Sequence, residues 1–500
     1  MGSEMCIRDR NNRLTSWYLP QREQAGGQLK RGCIEHILTL RLWINYCKCK
    51  QKKLFVAFID FSKAYDCVPR GKLFSVLLTL GCGTVMLCAL MSIYSLTSCI
   101  LGSAVITFTI GVRQGSPTSV FLFIIYVDIL IKMIKSRCPP DGFLSWLHIL
   151  MLMDDTVIFA TSRKELTKKM EILREYCREY GMKINESKTK FLVINGLAND
   201  RKDINLEDFK VRHCTSYLYL GVIFTENGSG SSSLKAHVAE KKQHLNRLNI
   251  FLSRNYDAPF FIKRKVFDAA FSSGILYGCE SWLDIPLKPI ESMYMTAVRR
   301  LLDVRKSTPI LTCLVEAGLP SLDALVKQRQ SRFLRKIFNC RTGLSTTDPL
   351  MFTLDFMRTN CEPIYRTINN IMRREDYISD NLEEHRRLLR NAPIERTKFC
   401  LYTQMNPDLS INPLYQIKTN QPYIEDSLRI SFTRLRLSSH NLRSEIGRWN
   451  RVFPNQCLCP HCNGRFIQNE EHLLNCCSTL TIRRKYNVGN DILELFKNPN

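Results

Sequence analysis

The sequence predicts a mixed α/β fold, and three observations carry that prediction. Two apolar runs with strand character, Leu54-Phe55-Val56-Ala57-Phe58-Ile59 and Leu150-Met151-Leu152-Met153, each end in acids: Asp60 after the first, Asp154-Asp155 after the second. Between and after them lie segments with apolar residues at helical spacing, clearest over 163–180, where Leu166, Met170, Leu173 and Cys177 share one face. Beyond Asn227-Gly228-Ser229-Gly230-Ser231-Ser232-Ser233, a loop or boundary, the pattern turns helical and basic.

The elements follow in order. Residues 30–50 read as a short basic helix with Ile34, Ile37, Leu38 and Leu42 near one face and Arg41 the charged exception on it. The strand ending at Asp60 comes next, and Val68-Pro69-Arg70-Gly71 breaks the chain before an apolar helix from about Lys72. A hairpin pattern runs through 100–112, Gly111 to Pro117 is a loop, and Val120–Ile134 is a strongly apolar helix. The Asp154-Asp155 segment reads as strand, tight turn, strand. Lys190–Ile194 and Tyr217–Phe224 are further strands, 234–253 and 256–345 are helical, and 346–430 is weakly patterned.

Composition bounds the partners. The 500 residues leave room for several domains, and Lys+Arg 71 against Asp+Glu 46 gives a net charge of +25, spread along the chain, which points to a polyanion. The 21 cysteines keep no regular spacing before the last fifty residues, and the N-terminus has no apolar signal core, so free thiols in a reducing interior are expected. The uncharged stretch between Lys72 and Arg113 is interrupted by Gly81, Gly83 and Gly102 and reads as buried core; no membrane span is expected.

Buried carboxylates must pair or bind a cation. Three of them at the ends of apolar strands are the oxygen donors that a two-metal phosphoryl-transfer site needs. The order of motifs makes this specific: Asp60-Phe61-Ser62-Lys63-Ala64-Tyr65-Asp66, then Arg113-Gln114-Gly115-Ser116-Pro117, then Met153-Asp154-Asp155, then Gly181 to Lys190, then Tyr219-Leu220-Gly221-Val222. This order resembles the palm motifs of reverse transcriptases, and its wording is most similar to the non-LTR (LINE-type) retrotransposon enzymes. The resemblance covers about residues 20–300 and returns near the C-terminus.

It implies a right-hand polymerase fold: a palm with partial fingers (20–226), a helical thumb (234–345), a linker region (346–456) and a small zinc-knuckle module (457–480). It implies that Asp60 and Asp154 hold two Mg²⁺ ions, with Asp155 supporting them. Tyr65 would be a steric gate against the ribose 2′-hydroxyl. Gln114 and Gly115 would contact nucleotide or template through a loop that opens a helix. Lys188 would neutralise or protonate the leaving pyrophosphate. The implied function is RNA-directed DNA synthesis from dNTPs on an RNA template with a DNA primer or target, with a nuclear residence and a cytoplasmic, RNA-bound phase.

Near the C-terminus, Cys459-Pro460-His461-Cys462, His472 and Cys477 give Cys-x₂-Cys-x₉-His-x₄-Cys, a spacing suited to tetrahedral Zn²⁺. Cys476 is open as the substitute for Cys477, and Cys457 and His461 as intruders. The pattern departs from the family in three places. Leu152 stands where an aromatic residue is usual, and Ser119-Val120 stands where Ser-Pro opens the helix. The chain also begins late, so it is expected to be N-terminally truncated, with its first ten residues foreign to the family. The alternative function is a catalytically silent nucleic-acid-binding remnant, and a group II intron maturase is a weaker third.

Overall fold

In the computed structural model the strand β1 (Leu54–Ile59) is buried along its whole length. Residues described are 12–28, 31–95, 97–113, 115–140, 142–144, 146–339, 348–393, 397–411, 415 and 426–485, with Cys99, Leu101, Pro117, Thr397, Leu474 and Cys477 described by backbone alone. The chain divides into two compact units, one of residues 1–233, 280–284 and 333–370, the other of residues 234–279, 285–332 and 371–500.

The first unit is built on a six-stranded sheet. Chain order gives helix α1 (Cys33–Cys49), β1, helices α2 (Arg70–Thr79) and α3 (Thr84–Ser95), hairpin β2 (Ser98–Leu101) and β3 (Ala104–Thr107), and helix α4 (Pro117–Arg137). Then come β4 (Ile149–Leu152), β5 (Asp155–Ala160), helix α5 (Arg163–Tyr180), β6 (Lys190–Ile194), β7 (Ile204–Asn205), β8 (Lys210–His213) and the hairpin β9 (Ser216–Tyr219) and β10 (Val222–Thr225). The sheet order is β4-β5-β1-β6-β8-β7, with β1 antiparallel to both β5 and β6.

Alternation along β1 decides its two faces. Phe55, Ala57 and Ile59 join a core with residues of α4 and α5, among them Phe123, Tyr126, Leu166, Leu173 and Tyr176. On the other face Phe58 stacks on Tyr217 of β9, with centroids 4.2 Å apart and planes 5° apart. The helices end where local chemistry predicts. Ser162 caps α5 by accepting from the Glu165 amide, and Gly181 closes it in the left-handed region at φ 67.

Three expectations need revision. The helix expected to be basic is largely buried, and Arg41, the charged residue on its apolar face, is 1% exposed with its guanidinium 4.8 Å over the Phe224 ring, a cation–π contact that substitutes for an ion pair. The hairpin expected over 100–112 is shorter and earlier, 98–107, because Gly102 supplies the positive φ (63) its turn requires. The loop 227–233 gives way to a helix, Gly230–Arg254, that begins inside it.

The second unit is helical. The weakly patterned region supplies helices Tyr377–Arg390, Thr397–Met405 and Asp426–Arg436. Charges inside it are paired: Arg436 meets Glu316 at 3.0 Å, Tyr402 donates to the same carboxylate at 3.0 Å, and Asp426 pairs with Lys263 and Arg429. Among the described residues no helix is long and apolar enough to cross a membrane.

Candidate active site and metal centre

The register of the sheet brings the acids of the first unit to one end. Ile59 lies opposite Thr156, so Asp60, one residue beyond β1, sits beside the β4–β5 turn. Leu152 pairs with Asp155, which leaves Met153 and Asp154 as the two turn residues. Met153 takes the left-handed φ of 58 that a tight hairpin asks of its first central position. The Asp155 carboxyl is pushed above its usual range by crowding away from water, then by the charges of Asp154 and Asp60, with Lys188 opposing. Three acids thus repel one another at one sheet end.

Lys188 approaches from the loop before β6, its Nζ 3.8 Å from Asp60 Oδ1. That loop is laced to the Asp60 backbone: the Asn185 amide donates to Asp60 O (2.8 Å), the Asp60 amide to Thr189 Oγ1 (3.2 Å), and the Ser62 amide to Lys183 O (2.8 Å). Tyr65 stacks on Phe123 of α4, with centroids 4.3 Å and planes 17° apart, and its hydroxyl lies 3.7 Å from Met153 Sδ. Burial and then Asp154 raise its pKa. The structure therefore gathers Asp60, Asp154, Asp155, Lys188 and Tyr65.

Gly115 has φ 84 just before Ser116, the N-cap of α4, and a Cβ there would meet nothing within 4 Å; it is needed for its backbone angle alone. Gln114 lies outside the described residues. The β9–β10 turn, Leu220-Gly221, has φ 46 and 78, both positive as a two-residue hairpin prefers. Burial, then Asp60 and Asp155, push Tyr217 beneath it up to about 12.

Sequence reasoning passed over a residue that holds the acidic turn. Residues 23–25 add to the outer edge of β4: the Met151 amide donates to Glu23 O and the Ala25 amide to Met151 O, both at 2.9 Å. Gln24, fully buried, uses Oε1 to accept from the Gly26 amide (2.9 Å) and the Met153 amide (3.0 Å). A Cβ at Gly26 would lie 2.7 Å from Met153 N. The adjacent glycines Gly26-Gly27 after a glutamine were the available signal.

In the second unit, Cys459, Cys462, His472 and Cys476 offer four ligand atoms within 4.8 Å of one another. Cys462 Sγ lies 3.4 Å from His472 Nε2 and 3.6 Å from Cys476 Sγ, which is 3.8 Å from Cys459 Sγ. Asn463 and Gly464, at φ 52 and 71, turn the chain after Cys462. Asn469 caps the helix Glu470–Asn475 by accepting from the His472 amide (2.8 Å), and Phe466 stacks on the His472 ring. Cys476, the residue left open in the spacing, takes the fourth place; the Cys477 side chain lies outside those described. Cys457 is turned away, packed where a Cβ on Gly447 would strike its sulfur.

This carboxylate-bearing sheet, antiparallel except where β6 meets β8, with helices on one face and a hairpin on the other, is of the polymerase-palm class. Residues 11–224 match the family model described as "Reverse transcriptase (RNA-dependent DNA polymerase)", and this stretch is a reverse transcriptase domain. Its relatives are non-LTR retrotransposon proteins. The putative 115 kDa protein in type-1 retrotransposable element R1DM of Drosophila melanogaster is 22% identical over 283 residues, 54% of this chain and 27% of that protein. The Pol polyprotein from type-1 retrotransposable element R2 of Nasonia vitripennis is 25% identical over 254 residues, 47% of this chain and 24% of its own length. The chain thus spans about a quarter of the curated relatives it matches. Among solved structures, apo telomerase from Candida Tropicalis is 12% identical with a TM-score of 0.34, covering 79% of this chain and 58% of that one, a likeness too slight to add weight.

Proposed function

We propose that the first unit catalyses RNA-templated DNA synthesis for a non-LTR retrotransposon. The observation that supports this most is the meeting of Asp60, Asp154 and Asp155 at one sheet end inside a reverse transcriptase domain. In the reaction the primer 3′-hydroxyl oxygen attacks the dNTP α-phosphorus. The bond from the α-phosphorus to the bridging oxygen breaks, pyrophosphate leaves with that oxygen, and the hydroxyl proton passes to water.

The donor set fits magnesium: all-oxygen, crowded, and with the Asp155 carboxyl raised by burial and then by its acidic neighbours, a cost that a cation relieves. Asp60 and Asp154 would hold two Mg²⁺ ions with Asp155 supporting. When bound, such ions activate the hydroxyl and steady the charge on the triphosphate. The chain does the rest. Lys188, poised by the loop tied to Asp60, neutralises or protonates the departing pyrophosphate. Tyr65, braced on Phe123, crowds a ribose 2′-hydroxyl and so favours deoxynucleotides. Gly115 presents its amide to template or nucleotide just before α4, and Gln114, outside the described residues, is proposed to share that contact.

In the second unit Cys459, Cys462, His472 and Cys476 would hold one Zn²⁺ as a knuckle, with thiolate and imidazole donors suited to a closed tetrahedral site. The proposed partners are an RNA template, a primer or target DNA and dNTPs. The proposed residence is nuclear with a cytoplasmic RNA-bound phase; thiols seated in apolar cores, such as Cys47 and Cys82, suit a reducing compartment.

The test is primer extension on an RNA template with Mg²⁺ and dNTPs, comparing the chain with Asp154→Asn. Extension that vanishes in the variant is the expected result. Salt-sensitive binding of primer–template with no extension by either protein would replace this reading with the silent, binding-only one.

A further inference from the structure

A basic cavity of about 770 Å³ opens in the first unit between the segment that follows Asp60 and the β2–β3 hairpin. Lys63, Arg70, Arg113, Ser98, Phe108 and the acid Asp66 are among its lining residues. Arg70 is only 9% exposed, yet it meets neutral oxygens: Nε donates to Gly111 O (2.9 Å) and Nη1 to the carbonyls of Tyr94 (2.8 Å) and Phe108 (2.6 Å). These bonds satisfy N–H groups without cancelling the charge. Arg113 is fixed in part by Ile93 O (2.6 Å) and Thr97 Oγ1 (3.1 Å). Both guanidiniums approach the Tyr94 ring, at 5.1 and 5.8 Å. Burial holds Arg70 below its usual pKa, and the charge of Arg113 pushes the same way. Lys63, exposed at φ 47, has no acidic partner among the described residues.

Three cations against one carboxylate, two of them gathered at one ring, make a site that an oxyanion stabilises. The guanidinium fork suits phosphate oxygens. The wall beside them is apolar and open: Phe108 is 45% and Ile110 55% exposed. Cations next to an open aromatic face are what a single strand needs, a phosphate held and a base laid flat.

We propose that this cavity holds a backbone phosphate of single-stranded nucleic acid, with the adjoining base against Phe108 and Ile110. The choice of ligand rests on the nucleic-acid reading above; the anion site itself does not. A free triphosphate offers the same oxyanion chemistry, so the experiment separates the two.

The full chain is titrated against a labelled oligoribonucleotide by fluorescence anisotropy at several salt concentrations. Lys63→Gln and Ser98→Glu are compared with Lys164→Gln, on the exposed side of α5, and thermal melting confirms that each variant is folded. Loss of one charge-assisted contact in Lys63→Gln, and a carboxylate set against the phosphate in Ser98→Glu, each predict affinity about tenfold weaker. Lys63→Gln should also flatten the salt slope by about 0.7. Lys164→Gln should bind as the parent does. Unchanged oligonucleotide affinity in both cavity variants overturns the proposal. Variants that keep oligonucleotide affinity but lose dNTP binding overturn it in favour of a triphosphate site. If primer extension fails throughout while binding still depends on Lys63, the polymerase reading falls and this one stands.

Discussion

Gln24→Leu tests whether the acidic turn is held from outside the palm motifs. Leucine fills a similar volume but accepts no hydrogen bond, so the Gly26 and Met153 amides lose their common acceptor. Each buried amide left unmade costs about 1–3 kcal/mol. The Gly26 amide is fully buried and the Met153 amide only partly so, which places the expected loss at about 2–4 kcal/mol. Part of that loss is released if the turn relaxes, because Met153 at φ 58 carries about 1–2 kcal/mol of left-handed strain. Relaxation would carry Asp154 with it. A displacement near 1 Å at reacting groups lowers rate by about a hundredfold, so single-turnover extension should fall by about ten- to a hundredfold.

The double variant with Met153→Gly sharpens the test. Glycine adopts the same φ without strain and needs no external restraint. The two changes should therefore couple, the double variant recovering about 1 kcal/mol in urea unfolding and part of the extension rate. Strict additivity in both measurements, or a Gln24→Leu protein with parental stability and rate, would refute the idea that Gln24 holds the turn.

Further outcomes follow from the same geometry. Tyr65→Ala should raise incorporation of ribonucleotides relative to deoxynucleotides in competing extension; an unchanged ratio leaves Tyr65 a core aromatic braced on Phe123. Cys476→Ser should lower bound zinc in the purified protein and loosen residues 457–480 to proteolysis, while Cys477→Ser should do neither; the reverse pattern would move the ligand back to Cys477. Burial raises Asp128 to about 7, opposed by the Gln21 amide and the Tyr18 hydroxyl. The folded state thus keeps a proton that the unfolded chain has already lost above about pH 4, so this group's stabilisation is full at low pH and fades as pH rises to about 7. Asp128→Asn should flatten that dependence and raise the melting temperature at pH 8; parallel melting curves for both proteins would contradict it.

What the sequence showed and what it hid follow from where each signal lies. Segments with periodic or unbroken apolar character were legible to the residue: α5 runs over Arg163–Tyr180 between a serine cap and a left-handed glycine, and β6, a continuous buried run, over Lys190–Ile194. Asp60, Asp154 and Asp155 were legible because a charge that interrupts an apolar run is costly unless it is used. Elements that recruit polar groups into their cores were not. Arg41 breaks the apolar face of α1 and yet is buried over Phe224. Glu316, Asp426, Arg429 and Arg436 blur the helical period of the second unit because they pair inside it. Adjacent thiols at 476 and 477 fit the zinc spacing almost equally; the fold brings Cys476 to the other three ligands, while the Cys477 side chain lies outside those described.

The residues that position the site form a different class again. Gln24 and Arg70 read as ordinary polar side chains, and neither stands at a motif's reactive position. Their roles arise from partners far along the chain, the Met153 amide for one and the Tyr94 and Phe108 carbonyls for the other. A cost of burial marks a reactive carboxylate locally, in the run that surrounds it. A satisfied hydrogen bond marks a positioning residue only at its far end. Sequence reading therefore finds the groups that touch the chemistry sooner than the groups that hold them still, and substitutions at the second kind will look conservative while acting on the first.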